Sequence, residues 1–188
     1  GPGGLSYAIT AAECGHDITV FEGADRIGGQ FNMAKAIPGK EDYGETIRYW
    51  DAQIKRLGVT LKLNHTATAA ELQTAGFDEV ILATGVRPRA LDLPGIDHAM
   101  VLSYVDVLQH GEAVGERVAI IGAGGIGFDV AEFLSHDGGP GDPAKPDIDR
   151  WLREWGVDRA PGHDGGLSPD GPAMHSPRQI TLLQRKAQ

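Results

Sequence analysis

The amino-acid sequence predicts an α/β fold in which helices cover a mostly parallel β-sheet. Short apolar runs rich in Val and Ile, without the polar alternation of half-exposed strands, alternate along the chain with helical segments. Glycines cluster directly after several of these runs, and glycine makes up 27 of the 188 residues, about twice its average share of about 7%. Strands and helices that alternate in this way form a layered sheet with helices on both faces.

Residues 1–110 contain three predicted helices and three predicted strands. The helices cover residues 5–14, 41–57 and 105–109, and the strands cover residues 17–22, 59–63 and 79–84. The first helix is rich in Ala, a strong helix former, and Gly15 follows it where a left-handed cap residue is expected. The strands are short β-branched runs, and Gly23 and Gly85 end two of them.

Residues 111–188 contain a second strand, loop and helix unit. A strand is predicted over 117–121, a glycine loop over 122–127, a helix over 128–135 and a last strand over 178–184. The intervening residues 136–177 hold 8 Gly and 7 Pro among 42 residues, a composition typical of irregular structure. One interpretation is a surface insertion. The other is a loop that becomes ordered against another domain, because Trp151, Leu152 and Trp155 are unfavourable in water.

Charge and composition exclude several classes of function. A net charge of -9 would repel a phosphate backbone, so nucleic acid is not an expected partner. The single cysteine, Cys14, cannot form an internal disulfide or hold a zinc or iron-sulfur centre within this chain. The seven histidines show no ligand spacing, so neither a metal site nor a catalytic residue is assigned. Without an apolar run of membrane length or a leader, we expect no membrane partner and a cytoplasmic location.

Gly122, Gly124 and Gly127 form a GxGxxG pattern between a predicted strand and a predicted helix. In dinucleotide-binding folds the first glycine permits a tight turn, the second lets a pyrophosphate approach the backbone, and the third lets the helix pack closely. The N–H groups at the start of the helix then face the phosphates. Because strand, loop and helix follow in the required order, the pattern predicts a nucleotide site.

Residues 1–4 match the last four positions of the same pattern, with glycine at Gly1, Gly3 and Gly4. A helix and a strand follow, and Glu22 at the strand end is placed to hydrogen-bond an adenosine ribose. The sequence therefore predicts a second dinucleotide site, whose preceding strand is absent, and we expect the chain to be a fragment. The alternative is that Gly1-Pro2 is a protease-cleavage scar and Glu22 a solvated strand end.

The last predicted strand ends in basic residues, Arg185 and Lys186. A carboxylate there would repel a 2′-phosphate, whereas a guanidinium can bind it with two hydrogen bonds and an ammonium adds a point charge. The loop at Gly122 is therefore predicted to take NADP. The alternative is an exposed basic pair that only solvates the surface.

Several short motifs resemble the C-terminal half of the bacterial NADPH-dependent 2,4-dienoyl-CoA reductases, which are old-yellow-enzyme relatives that also resemble trimethylamine dehydrogenase. The motifs are residues 26–32 (RIGGQFN), 37–40 (IPGK), 83–85 (ATG), 102–104 (LSY), 121–129, 154–156 (EWG), 165–169 (GGLSP) and 176–179 (SPRQ). The resemblance covers nearly the whole chain and includes the Gly/Pro-rich insertion.

The resemblance implies a Rossmann-like, doubly wound FAD-binding domain over residues 1–110 and the start of an inserted NADPH-binding domain over 111–188, both incomplete. Electrons would run from NADPH to FAD, then through an iron-sulfur cluster and FMN in an N-terminal barrel, which is outside this chain and would be its partner, to a dienoyl-CoA. The residues it assigns to FAD are Gly1, Gly3, Gly4, Glu22, Gly29, Gln30, Lys40, Ala67, Ala83, Thr84 and Gly85. Those it assigns to NADPH are Gly122, Gly124, Gly127, Arg185 and Lys186.

Two other interpretations remain open. An electron-transfer flavoprotein subunit of the glutamate-synthase or adrenodoxin-reductase type shares the two-nucleotide architecture, although the segment 165–179 argues against it. The second interpretation is a fragment that binds nucleotides without catalysing a reaction. A disulfide reductase of the same architecture needs a redox cysteine pair, which Cys14 alone cannot supply.

Overall fold

The structure is a computed structural model that describes residues 1–89, 91–136, 147–159, 164–172 and 175–185. The chain divides into two compact units. The first unit comprises Gly1–Lys35 and Gly39–Gly111, and the second comprises Ala36–Pro38 and Glu112–Gln188. Among the described residues no helix has the length and apolar content needed to span a bilayer.

The first unit contains five helices and two parallel strands among its described residues. In chain order these are α1 (Pro2–Glu13), β1 (Thr19–Phe21), α2 (Phe31–Ala34), α3 (Tyr43–Arg56), β2 (Thr60–Lys62), α4 (Ala69–Thr74) and α5 (Tyr104–Leu108). The register pairs Thr19 with Thr60 and Phe21 with Lys62. Helix α5 begins with a capping box, in which Ser103 and Asp106 each accept a backbone N–H of the other. The Ser103 hydrogen bonds hold the pKa of the Asp106 carboxyl below its usual value.

The core of the first unit lies where α1 and α3 pack together beside the strands. Its buried members are Leu5, Ile9, Ile27, Trp50 and Ile54. Leu5 and Ile9 are four residues apart, as are Trp50 and Ile54, so each pair lies on one face of its helix. These two apolar faces therefore fix the position of α1, whose first turn carries the glycines of the predicted FAD loop.

The second unit contains β3 (Arg117–Ile121), α6 (Gly125–Ser135), α7 (Ile148–Glu154), a 3₁₀ turn (Asp164–Gly166) and β4 (Gln179–Leu183). Strands β3 and β4 are parallel, with Arg117 opposite Gln179 and Ile121 opposite Leu183. Helix α6 packs against both strands and buries Val130 and Leu134. This strand, helix and strand order is the α/β arrangement that the sequence predicts.

Both nucleotide-loop helices begin three residues earlier than predicted. Helix α1 begins at Pro2, not at residue 5, and α6 begins at Gly125, not at residue 128. Proline is favoured at the first helical position, because its missing N–H would have no partner there. In both cases the last glycines of the loop lie within the first turn of the helix.

The strand predicted over residues 79–84 is wrong. These residues are exposed and form no ladder, and the described strands pair only as β1 with β2 and β3 with β4. A β-branched run becomes a strand only where its N–H and C=O groups find a neighbouring backbone. In the second unit the residues of β3 and β4 alternate between half-buried and exposed.

The α3 face predicts a contrast between two substitutions on one helix. Ile54 is 1% exposed, so Ile54→Ala should lower the free energy of unfolding by about 2–5 kcal/mol, because it removes buried methyl groups and leaves a cavity. Tyr49 on the same helix is 55% exposed, and Tyr49→Ala is the control with little expected change. Urea unfolding followed by circular dichroism measures both. Equal losses of unfolding free energy in the two variants would contradict the assignment of Ile54 to the core.

Candidate cofactor-binding sites

The loop between β3 and α6 has the geometry that its three glycines predict. Gly122 has a φ of +113°, a conformation that side chains rarely adopt, and Gly124 caps the N-terminus of α6. Gly127 is buried in the first turn of α6, and a Cβ atom there would lie 1.9 Å from the Gly122 carbonyl oxygen. No other residue fits at this third position without moving the helix away from the loop.

The same loop is open on its other side. A Cβ added at Gly122, Gly124 or Gly125 would meet nothing within 4 Å. The first turn of α6 carries no acidic residue. The free N–H groups at the start of α6 and the positive end of its dipole are therefore accessible to an anion, which fits a dinucleotide pyrophosphate.

The loop at the start of α1 repeats this arrangement position by position. Gly1 caps α1 as Gly124 caps α6, and Gly4 takes the third helical position as Gly127 does. A Cβ on Gly4 would lie 3.2 Å from the Cβ of Ala83, whereas Gly3 has open space. Gly4 thus allows close packing against the 83–85 segment, which the family resemblance assigns to the same cofactor.

Glu22 lies at the predicted ribose position beside this loop. Its Oε2 atom is 3.4 Å from the backbone nitrogen of Gly1, and its Oε1 accepts a hydrogen bond of 3.1 Å from the Ala24 N–H. The Glu22 side chain is 20% exposed. One carboxylate oxygen is therefore held by the backbone while the other faces the glycine loop, as an acid for a ribose hydroxyl requires.

The Gly28-Gly29 turn closes over the start of α1. Gly29 has a φ of +53°, and its Cβ would lie 2.7 Å from the Gly1 Cα. Gly28 has a φ of +111°, and its Cβ would lie 2.8 Å from the Asn32 amide nitrogen. That amide donates to the Ile27 carbonyl at 2.9 Å. Only Gly29 was predicted as a site residue, and the adjacent pair of glycines in the sequence is the signal that identifies Gly28 as well.

The structure brings together Gly1, Gly4, Glu22, Gly29 and Ala83. Thr84 and Gly85 follow Ala83 and are exposed, and Gly85 has a φ of +76°. Gln30 follows Gly29 and caps α2 from an exposed position, and Lys40 is half-buried after Gly39. Their contact with FAD stays a prediction.

The segment that contains Ala67 lies along the end of β1. The His65 N–H donates to the Glu22 carbonyl at 3.0 Å, and the Asn64 N–H donates to the Ala24 carbonyl at 2.8 Å. The His65 Nε2 is 2.9 Å from a Glu71 carboxylate oxygen, and this hydrogen bond holds the pKa of Glu71 below its usual value. The two backbone hydrogen bonds thus fix the segment near Ala67 beside Glu22, and the His65–Glu71 pair joins it to α4 through a contact that the sequence did not predict.

Arg185 follows β4 at the edge of the Gly122 loop. The Gly122 N–H donates a hydrogen bond of 2.9 Å to the Leu183 carbonyl. Arg185 therefore lies two residues after a residue that contacts the loop directly. Its side chain is exposed and available to a ligand. Lys186, the other basic residue of this prediction, lies outside the described residues.

Two glycine loops at the start of helices, each beside parallel strands, define a dinucleotide-binding protein of Rossmann-like fold. The family model of the pyridine nucleotide-disulphide oxidoreductases matches residues 1–139, and the chain belongs to this family of flavin- and NAD(P)H-dependent oxidoreductases. The disulphide in the family name has no counterpart in the single cysteine of this chain.

The similar proteins include a reductase and an oxidase. The chain is 37% identical to the cinnamate reductase of Clostridium sporogenes over 138 residues, which are 73% of the chain and 20% of that protein. It is 34% identical to the NADH oxidase of Thermoanaerobacter brockii over 166 residues, which are 86% of the chain and 25% of that protein. The chain therefore spans a fifth to a quarter of these curated relatives.

A solved structure covers the insertion as well. The structure of 2-naphthoyl-CoA reductase in complex with 2-naphthoyl-CoA matches 98% of the chain and 32% of its own length, with a TM-score of 0.71 and 28% identity. The fold of the chain, with its parallel sheets and helices, is therefore that of a flavin oxidoreductase.

The third glycine of the Gly122 loop predicts a matched pair of variants. Gly127→Ala should weaken NADP(H) binding about tenfold or more and lower the melting temperature, because its Cβ would clash with the Gly122 carbonyl. Gly125→Ala adds a Cβ in open space within the same helical turn and should retain the melting temperature. Fluorescence titration with NADPH and a thermal melt measure both. Equal binding by the two variants would contradict the packing role of Gly127.

Proposed function

We propose that this chain is the electron-input part of an oxidoreductase, binding FAD at the loop of α1 and NADPH at the loop of α6. The proposal rests on the charged residues beside two glycine loops that have the same geometry. The residue beside the first loop is acidic, and the residue beside the second is basic. Glu22 faces the first loop from 3.4 Å, whereas Arg185 follows the strand that hydrogen-bonds the second loop. An acid suits a free ribose and an arginine suits a 2′-phosphate, so the two sites select different dinucleotides.

At the first site the residues would bind and orient FAD. The N–H groups of the first turn of α1 would hold its pyrophosphate, and Glu22 would accept from the ribose hydroxyls. Gly28 and Gly29 let the neighbouring turn pack directly against Asn32 and Gly1, which holds that turn beside the loop of α1. The backbone near Ala67, fixed to β1 through His65, would meet the adenine.

At the second site the chain would bind the pyrophosphate through α6 and the 2′-phosphate through Arg185. When bound, the two dinucleotides would supply hydride-transfer chemistry at this part of the protein. The residues of this chain would bind the two dinucleotides. We assign no proton-transfer role to any of them.

We infer further that the electrons pass through an iron-sulfur cluster and FMN to a 2,4-dienoyl-CoA, in the degradation of unsaturated fatty acids. Support comes from the short motifs of the sequence and from the similarity to a reductase that binds 2-naphthoyl-CoA. The cluster, FMN and acyl-CoA sites would belong to a barrel domain beyond this chain, which would be its direct partner. A cytoplasmic location would suit these substrates.

The test follows the visible absorbance of the flavin in the full-length protein. NADPH added without oxygen should bleach the flavin band, and a 2,4-dienoyl-CoA added afterwards should restore it as the substrate is reduced. Bleaching without recovery would favour the electron-transfer subunit, and no bleaching would favour a nucleotide-binding protein without turnover. The recovery of the flavin band is also measured with cinnamate in place of the 2,4-dienoyl-CoA, so that the two substrates can be compared.

Arg185 predicts the preference between the two nicotinamide cofactors. Arg185→Ala should lower kcat/KM for NADPH about tenfold or more, because each hydrogen bond between charged groups contributes on the order of 1.5–3 kcal/mol, reduced here by exposure. NADH carries a hydroxyl group in place of the 2′-phosphate, so kcat/KM for NADH should fall little. Arg117, exposed at the opposite end of the paired strands, gives the control variant Arg117→Ala. Equal losses of kcat/KM for NADPH and NADH would contradict the assignment of Arg185 to the 2′-phosphate.

A further inference from the structure

Arg178 connects the start of β4 to the end of α6. Its guanidinium Nη1 donates a hydrogen bond of 3.0 Å to the Leu134 carbonyl oxygen, 44 residues earlier in the chain. Leu134 lies in the last turn of α6, where carbonyl groups have no partner within the helix and the dipole favours a positive charge. The Arg178 side chain therefore completes the C-terminus of α6.

A short turn holds Arg178 in place just before the strand. The Ser176 hydroxyl accepts the Arg178 N–H at 3.2 Å and donates to the Arg178 carbonyl at 2.7 Å. Pro177 lies between them and restricts the backbone further. The motif of residues 176–179, which the binding sites leave unexplained, thus fixes an arginine at the first residue before β4.

The connection between α6 and β4 explains why such a contact is needed. Helix α6 ends at Ser135 and β4 begins at Gln179, so 43 residues separate them. Most helix-to-strand connections in α/β units have about 2–6 residues and fix the helix to the next strand covalently. A connection of 43 residues cannot do this. The β3–β4 ladder, the apolar packing of α6 and Arg178 together take over that task.

The register of α6 against β4 matters because both elements carry parts of one site. The first turn of α6 contains Gly125 and Gly127 of the pyrophosphate loop, and Arg185 follows the end of β4. The β3–β4 ladder and the Gly122–Leu183 hydrogen bond fix β4 beside the loop, so a shift of α6 along β4 would move the N–H groups of its first turn relative to Arg185. We propose that Arg178 is a positioning residue for cofactor selection, which sets the position of the first turn of α6 relative to the residue that binds the 2′-phosphate. This inference rests on the proposed function of the second site.

The test compares NADPH with NADH in the full-length protein. Arg178→Ala should lower the ratio of kcat/KM for NADPH over NADH by about threefold or more, through a higher KM for NADPH at unchanged kcat. Arg178→Lys keeps a charged donor and should restore most of the ratio. Val130→Ala, a cavity variant on α6, should lower the melting temperature and leave the ratio unchanged.

Arg185→Ala is measured in parallel to separate the two proposals. A lowered ratio in Arg185→Ala beside an unchanged ratio in Arg178→Ala would overturn the positioning role and keep the proposed function. An unchanged ratio in both variants would overturn both. If Arg178→Ala does not fold, Arg178→Gln replaces it, because glutamine keeps a donor without the charge, and an unchanged ratio there would likewise overturn the role.

Discussion

The structure depends on a contact that only glycine permits, between the first turn of a helix and the backbone beneath it. At α6 a Cβ on Gly127 would lie 1.9 Å from the Gly122 carbonyl, so the helix approaches the loop as closely as backbone atoms allow. At α1 the same helical position holds Gly4, against Ala83. This approach brings the helix N–H groups to the place where phosphates bind, and it also fixes the helix axis on the sheet.

The two loops differ in what surrounds this shared contact. In the first unit the loop is enclosed by the Gly28-Gly29 turn and by Glu22, whose carboxylate is held by the Ala24 N–H. In the second unit the loop is open, and the charged residue beside it is exposed. An enclosed site suits a cofactor that stays bound through many turnovers, and an open site suits one that must leave after each.

Local patterns allowed most of the fold to be predicted from the sequence. Strand β3 matches its predicted bounds, Gly122 has a positive φ, and Gly127 makes the close contact that the pattern requires. Contacts between distant residues could not be predicted in this way. The run 79–84 has strand composition but no partner, and propensity alone cannot supply one. The His65–Glu71 and Arg178–Leu134 hydrogen bonds depend on how segments meet in space, and Lys186 lies outside the described residues.

The long connection between α6 and β4 also affects how the second unit folds. Parallel pairing joins Arg117 to Gln179 across 62 residues, a contact of high sequence separation. Lengthening a loop from about 4 to about 43 residues adds roughly 2 kcal/mol of closure entropy, a cost that the charged hydrogen bond of Arg178 can offset at on the order of 1.5–3 kcal/mol. Because this entropy is lost before the paired strands stabilise each other, β3–β4 pairing is expected to form late. The hydrogen bonds within α6 and the close approach of Gly127 to Gly122 are local in sequence, so they can form first. With Arg185 in its proposed role, selection between nicotinamide cofactors would then be the last property that the folding chain acquires.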